Sequence, residues 1–134
     1  MNNDTEKLQL SLLLLRASVF LVMFVWTIDK FVNPAHASKI FASFYQIGGL
    51  ESGGIFVIGA IEIVILLLFL VGIQKKYTYG AVLIFHAIST LATYKQYFSP
   101  FDGPNLLFFA AWPMLAACFT LFLLRDQDKK FTVS

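Results

Sequence analysis

Three ionisable side chains lie inside long apolar segments of the chain, where a lipid bilayer would offer them no water. Arg16 lies in the first apolar run, Glu62 in the second and His86 in the third. A lone ionisable residue at the centre of a bilayer costs about 2.5–3.5 kcal/mol on insertion scales, so such groups pair or mark a functional path. We expect Arg16 to pair with Glu62. His86 would be a third member that takes up and releases a proton near neutral pH.

The positions of these residues within their runs indicate a similar depth. Counted from the ends predicted to be cytoplasmic, Arg16, Glu62 and His86 lie about 12, 17 and 14 Å inside. One hypothesis is that this polar layer only holds helices together through an interhelical ion pair. The other is that it lines a pocket or a proton path, since three ionisable groups exceed what one pair requires.

The elements that must position these groups are membrane-spanning helices. Of the 134 residues, 58% are hydrophobic and only 13% are charged, and the mean hydropathy is +0.74. A soluble domain of this length could not bury so much apolar surface in one core. The predicted fold is all-α, a polytopic membrane four-helix bundle in a single transmembrane domain. Its four spans are predicted at about 8–28, 54–73, 77–97 and 105–124.

Basic residues outside the spans predict the orientation in a cell membrane. With four spans, both termini share a face with the second loop, and that face carries six lysines and arginines against three on the other. The positive-inside rule then places both termini in the cytoplasm. A net charge of +2 is too small to suggest a nucleic-acid partner.

The long first loop predicts one further helix. Pro34 breaks the first span or starts a new segment. The apolar residues after it recur at helical spacing, as Ala37, Ile40, Phe41 and Phe44 illustrate. We expect a short interfacial or re-entrant helix at about 35–47 that covers the outer mouth of the bundle.

Other side chains are candidates for the walls and rim of a binding cavity. Asp29, Lys30, Trp26 and Tyr94 are expected at its polar outer rim. Trp112, which precedes a proline in the fourth span, is expected to face inward beside a kink.

A metal or haem site is not expected. His36 and His86 are predicted at different depths, and no His/Cys cluster has the spacing of metal ligands. The single cysteine, Cys118, excludes an intrachain disulfide.

Several short motifs resemble the DoxX-like family of small four-helix membrane proteins, and the similarity covers nearly the whole chain. Two of them lie in the first span: the segment 15–17, which contains Arg16, and the polar end of the span at 26–31. The other two lie in the second span: the segment 59–62, which ends at Glu62, and the segment 70–73, which is followed by a pair of lysines. Arg16, Lys30 and Glu62 match the family's polar pattern.

The resemblance implies a role in membrane redox metabolism, since relatives include quinone-linked and disulfide-handling membrane proteins. The chain carries no flavin, nucleotide or iron–sulfur motif. We therefore expect a subunit or accessory protein that binds a quinone or a similar amphipathic small molecule at the Arg16, Glu62 and His86 layer. A redox partner protein and a homodimer are both compatible with this.

Two alternatives belong to other functional classes. A small proton-coupled transporter would use Glu62 as an exchanging carboxylate, as small multidrug exporters use theirs, and it requires this group to titrate near neutral pH. A structural membrane scaffold for a redox partner would tolerate apolar replacements of both Arg16 and Glu62.

Overall fold

The structure, a computed structural model, describes residues 3–44, 48 and 52–133. Every regular element within these ranges is helical. The α-helices are α1 (Asn3–Val32), α2 (Pro34–Phe44), α3 (Ser52–Val71), α4 (Lys75–Ala92), α5 (Tyr94–Tyr97) and α6 (Ala111–Leu123), and 3₁₀ turns cover Asn105–Ala110 and Arg125–Gln127.

Three stretches are long and apolar enough to cross a membrane: α1, residues 53–71 of α3, and the continuous segment of 3₁₀ turn and α6 from Asn105 to Leu123. The prediction of membrane-spanning helices is therefore supported for three of the four spans. The predicted span at 77–97 is not among them. It divides into α4 and the short α5 at Thr93, and α4 contains polar residues such as Thr78, His86 and Thr90.

Four helices pack side by side in a closed ring. α1 packs on α3, α3 on α4, α4 on α6, and α6 on α1. Their shared interior is formed by side chains that are almost completely buried: Leu12, Val19, Leu66, Phe69, Tyr79, Val82, Cys118 and Leu121. Burying such apolar residues is worth about 1.5–3 kcal/mol each in water, whereas in lipid the close packing itself supplies the stabilisation.

Helix α2 lies across the ends of α1 and α3 and packs against both. It begins at Pro34, whose missing N–H is no loss in the first turn of a helix. The side chain of Asn33 caps this turn by accepting a hydrogen bond from the backbone N–H of His36 (3.4 Å). Helix α2 overlaps the helix predicted at about 35–47, of which positions 45–47 lie outside the described residues, and its interfacial or re-entrant placement stays a prediction.

A tight turn joins α3 to α4 at the opposite end. Gly72 adopts a left-handed conformation with φ +76°, which glycine reaches without steric cost. The N–H of Gly72 bonds to the carbonyl of Phe69 (3.1 Å), and that of Ile73 to the carbonyl of Leu68 (3.0 Å). These bonds satisfy carbonyl groups that would otherwise be orphaned where α3 ends.

Candidate functional site

The C-terminal segment after α6 carries a carboxylate into the helix ring. Oδ1 of Asp128 accepts a hydrogen bond from Nη1 of Arg16 at 2.5 Å, and Oδ2 accepts one from the hydroxyl of Tyr79 at 2.6 Å. The three side chains come from different elements, and each is at most 1% exposed. Charge-assisted bonds of this kind are about twice as strong as neutral ones, so Asp128 ties the segment to α1 and α4.

Backbone contacts extend this attachment along residues 127–133, which we call the tail. Nη2 of Arg16 donates to the carbonyl of Lys130 (2.6 Å), and Nζ of Lys75 donates to the carbonyl of Asp128 (2.5 Å). On the α1 side, the carboxamide of Gln9 bonds to the backbone at residues 127 and 129. The tail, the first half of α1 and the α3–α4 turn therefore share one end of the molecule.

Gly72 makes room for the tail. A Cβ atom at this position would lie 2.7 Å from Cβ and Cγ2 of Thr132, closer than real Cβ contacts come. Directly beside it, the N–H of Val133 donates to the carbonyl of Val71 (2.9 Å). The glycine thus serves both the turn, through its φ, and the close approach of the tail.

Lys75 at the start of α4 responds to this environment. Partial burial lowers the pKa of its ammonium group, and the nearby Asp128 carboxylate opposes the shift. Arg16 lowers it further through like-charge repulsion.

The second polar cluster joins α1 to α3 near the end that α2 covers. Oε2 of Glu62 lies 3.2 Å from Nζ of Lys30 and 3.0 Å from the hydroxyl of Thr27. The Thr27 hydroxyl also lies 2.8 Å from the carbonyl of Met23, and its single proton can serve only one of these acceptors at a time. The ion-paired side chains remain partly accessible, at 13% for Lys30 and 19% for Glu62. We call Thr27, Lys30 and Glu62 the outer cluster.

Gly59 fixes this contact by allowing α1 and α3 to approach closely. A Cβ at Gly59 would lie 2.8 Å from the Phe31 ring and 3.5 Å from Cβ of Lys30. The Phe31 ring also stacks on Phe56 with 5.7 Å between ring centroids. Small residues at helix crossings in membranes have this role, and here one of them brings Lys30 within reach of Glu62.

A hydrogen bond between a histidine and a carboxylate lies beside the outer cluster, nearer the surface. Nδ1 of His36, in α2, lies 2.6 Å from Oδ2 of Asp29, in α1. Half of the His36 side chain is exposed. Asp29 therefore anchors α2 to the end of α1. A further contact joins the two helices, because the Lys30 ammonium lies 6.0 Å from the centre of the Phe41 ring in α2.

His86 lies apart from both clusters. Its Nε2 donates to the carbonyl of Ala111 at 3.0 Å, which joins α4 to the beginning of α6. Nearby, the hydroxyl of Tyr97 bonds to the carbonyl of Thr90 (2.8 Å). His86 thus cross-links two helices and contacts neither Arg16 nor Glu62 in this structure.

The predicted Arg16–Glu62 pair does not form, because the two residues lie at different heights. Arg16 precedes Thr27, the α1 contact of Glu62, by eleven positions, or about 16 Å of helix. A distance of about 16 Å along α3 from Glu62 likewise reaches the turn at Gly72. The tail lies at this turn, so Arg16 is level with the turn and not with Glu62. His86 is about 10 Å along α4 from Tyr79. The three residues therefore occupy three levels, and the single polar layer was a wrong prediction.

The aromatic candidates lie at the surface. Trp26 is 59% exposed, Tyr94 53% and Trp112 45%. The Trp112 ring packs against Tyr97 with 5.5 Å between centroids. Pro113 does not kink a long helix as predicted, because α6 begins at Ala111 and places the proline in its first turn.

An apolar groove runs along α3 within one helical turn of Glu62. It has a volume of about 310 Å³ and is lined by Ala60, Ile61, Val64 and Ile65. No residue of the outer cluster lines this groove, and its four lining residues lie on another side of α3 from Glu62, near the middle of the helix. Among the described residues, no group of three or more His, Cys, Asp or Glu side chains is gathered as a metal site would need.

Comparison with known proteins gives no relative for this chain. No family model matches it, and no curated protein or solved structure matches it. Its function must therefore be argued from the two clusters themselves.

Several residues of these clusters were not among the candidates drawn from the sequence. Asp128, Tyr79 and Lys75 were not singled out, and Thr27 was cited only as part of the 26–31 motif. One signal was available for Asp128: a buried arginine requires a carboxylate, and few acidic residues lie in the chain. The spacing of 112 positions between Arg16 and Asp128 leaves no local pattern that selects this acid from the others.

Proposed function

We propose that the protein is a multi-pass membrane protein of the DoxX-like type, an accessory subunit of membrane redox metabolism that binds a quinone or similar amphipathic small molecule. In this proposal α1, α3, α4 and the segment ending in α6 cross the cell membrane. The end that carries the tail faces the cytoplasm, and α2 lies at the outer interface.

The observation that carries the proposal is the outer cluster, a partly accessible ion pair between two apolar helices. Lys30 and Glu62 are paired but keep some exposure, and an apolar groove lies on another side of the same helix α3. An amphipathic molecule needs both features, a few polar groups that orient its head and an apolar surface for its body.

The donor set suits a carbonyl-bearing head group. The Lys30 ammonium has three N–H donors, only one of which is directed to Glu62. The Thr27 hydroxyl is buried and lies between the carbonyl of Met23 and the carboxylate of Glu62, so it orients Glu62 rather than a ligand. Glu62 can accept a hydrogen bond from a hydroxyl of the ligand. The binding site of the proposal is therefore the outer cluster, and Arg16 and His86 are no longer part of it.

The test is mass spectrometry of small molecules that copurify with the protein in native lipid discs. We would compare the unmodified protein with Glu62→Gln and Lys30→Met, and use Lys95→Gln as the matched control, since Lys95 is an exposed cation outside the cluster. We expect an amphipathic ligand that is retained by the control and lost by at least tenfold in folded Lys30→Met protein. Equal ligand content in all four proteins would overturn the proposal.

A structural scaffold is the second candidate. It is favoured by the way each ion pair joins separate elements, α1 to the tail in one case and α1 to α3 in the other. Under this reading, the Lys30→Met, Glu62→Leu double variant would fold and keep any bound partner. Proton-coupled transport is less well supported, because Lys30 neutralises the carboxylate that an exchanger would use.

A further inference from the structure

The site that holds Asp128 has the composition of an anion receptor. Arg16, Lys75 and Tyr79 surround the carboxylate, and we call these three residues the tail cleft. Both carboxylate oxygens are bound by side-chain donors, at 2.5 and 2.6 Å. Lys75 approaches the same residue at its backbone carbonyl. The tail thus occupies the cleft as a ligand would, with a single anionic group at the centre.

The tail does not satisfy every donor of the cleft. Nε of Arg16 is buried and has no hydrogen-bond partner within the described ranges. A buried donor without a partner costs about 1–3 kcal/mol. One carboxylate and two backbone carbonyls therefore match the guanidinium incompletely, and an anion with more acceptor oxygens would match it better.

The tail is also held by few regular contacts. No helix follows Gln127 in the part of the chain that the structure describes. Phe131 adopts φ +55°, and a residue with a Cβ in this left-handed region costs about 1–2 kcal/mol. Segments with few ladder hydrogen bonds and local strain open at lower free energy than the core.

Charge balance changes when the tail leaves. In the docked state, Arg16 is ion-paired with Asp128, and Lys75 interacts electrostatically with Asp128 and Asp126. Departure of the tail removes the Asp128 carboxylate, whereas Asp126 precedes the tail, and it leaves Arg16 without its ion-pair partner in a partly buried cleft. A phosphate group carries up to two negative charges and three or four oxygens, so it complements this remainder in charge and in acceptor number.

We propose that the tail cleft is a phosphate-binding site that the chain closes with its own Asp128, and that a phosphate group and the tail compete for it. The phosphate comes either from an anionic lipid headgroup at the same face or from a soluble phosphate.

Hydrogen exchange on the full chain in lipid discs tests this competition. The backbone N–H groups of Lys129 and Val133 are bonded in the docked state, to Gln9 and Val71, so tail peptides report undocking directly. We would compare discs of phosphatidylcholine with discs that contain phosphatidic acid, whose headgroup is a phosphomonoester, and would add inorganic phosphate to the first at constant ionic strength against chloride. Competition predicts that the exchange rate of the tail doubles when phosphate reaches its dissociation constant, and rises about elevenfold at ten times that concentration.

Two variants distinguish binding of phosphate in the tail cleft from a general attraction of phosphate to basic residues on the surface. Tyr79→Phe removes one donor of the cleft, and we expect it to reduce the response to phosphate. Lys76→Gln removes an exposed cation outside the cleft and is expected to leave the response unchanged.

The outcomes are distinct. A response to inorganic phosphate identifies a soluble ligand, and a response in phosphatidic acid discs alone identifies a lipid headgroup; both support the proposal. It is overturned by tail exchange that stays constant under both conditions, or by a response that is equal in the unmodified protein and in Tyr79→Phe.

Discussion

The ammonium of Lys30 and the carboxylate of Glu62 lie 3.2 Å apart and join α1 to α3 beneath α2. The pair is neither fully buried nor freely solvated. Its energetic value should therefore lie between that of a surface salt bridge, about 0–1 kcal/mol, and the 3–5 kcal/mol lost when one partner of a buried pair is removed. This intermediate position is what a site that exchanges ligands requires.

Replacing Glu62 tests this value. Glu62→Ala is expected to lower the free energy of unfolding by about 1–2 kcal/mol, because Lys30 keeps its charge without a partner. Glu62→Gln retains an acceptor oxygen and should cost less. Reversible unfolding in mixed detergent micelles measures both. Asp102→Ala, in the exposed loop 99–104, is the control and should stay within about 0.5 kcal/mol of the unmodified protein.

Removing the tail carboxylate is expected to cost more. Asp128→Ala leaves the guanidinium of Arg16 buried without a counter-ion, and we expect a loss of about 3–5 kcal/mol. Asp126→Ala, at an exposed neighbouring position, should change stability little. The Arg16→Met, Asp128→Leu double variant should recover most of the loss, since no unpaired charge remains. A double variant no more stable than Asp128→Ala would show that the ion pair is not the source of the effect.

Gly72 and Gly103 allow backbone strain and steric contact to be separated. Both have positive φ, but a Cβ meets the tail only at Gly72, whereas at Gly103 it meets nothing within 4 Å. Replacing either glycine by alanine should lower the free energy of unfolding by about 1 kcal/mol, because a residue with a Cβ atom is strained at positive φ. Only Gly72→Ala should also undock the tail, measured as faster hydrogen exchange at Val133. Equal tail exchange in the two variants would argue against the close contact with Thr132.

The lowered pKa of Lys75 predicts that the free energy of unfolding depends on pH. Its pKa is lowered in the folded state, mainly by burial. Between this lowered pKa and the ordinary lysine value of about 10.4, the folded state therefore binds fewer protons than the unfolded state, and stability rises with pH. Below the lowered pKa, Lys75 is charged in both states, and the cost of partly burying its ammonium group lowers the free energy of unfolding by its full amount. Lys75→Met should abolish this rise, which ends near the ordinary lysine pKa of about 10.4. Parallel stability curves for the two proteins would contradict it.

Much of the helical framework could be predicted from the sequence. Runs of apolar residues predicted α1, α3 and the segment ending in α6, and helical spacing after Pro34 predicted α2. These features are local, since they depend on composition and on turns of the helix that follow one another. The division of the 77–97 span at Thr93 was missed because a run of apolar residues carries little information on where a helix ends.

The candidate residues were identified more successfully than their partners. Arg16, Lys30 and Glu62 proved to be ion-paired, and Asp29 is hydrogen-bonded to His36. Pairing depends on the register between helices, which the Gly59 contact with Phe31 sets. An error of a few residues in a helix end shifts depth estimates by several ångströms, and α1 begins five residues before its predicted start. Depth estimates alone therefore grouped three residues that the register separates.

The distance in sequence between Arg16 and Asp128 also orders the events of biosynthesis. The arginine is made 112 residues before its carboxylate, which at about 5–20 residues per second corresponds to roughly 6–22 s of translation. Throughout that interval the first helix carries a cation whose final partner does not yet exist. The ion pair can form only after both residues have been made, so a segment that is translated late completes a contact that α1 begins.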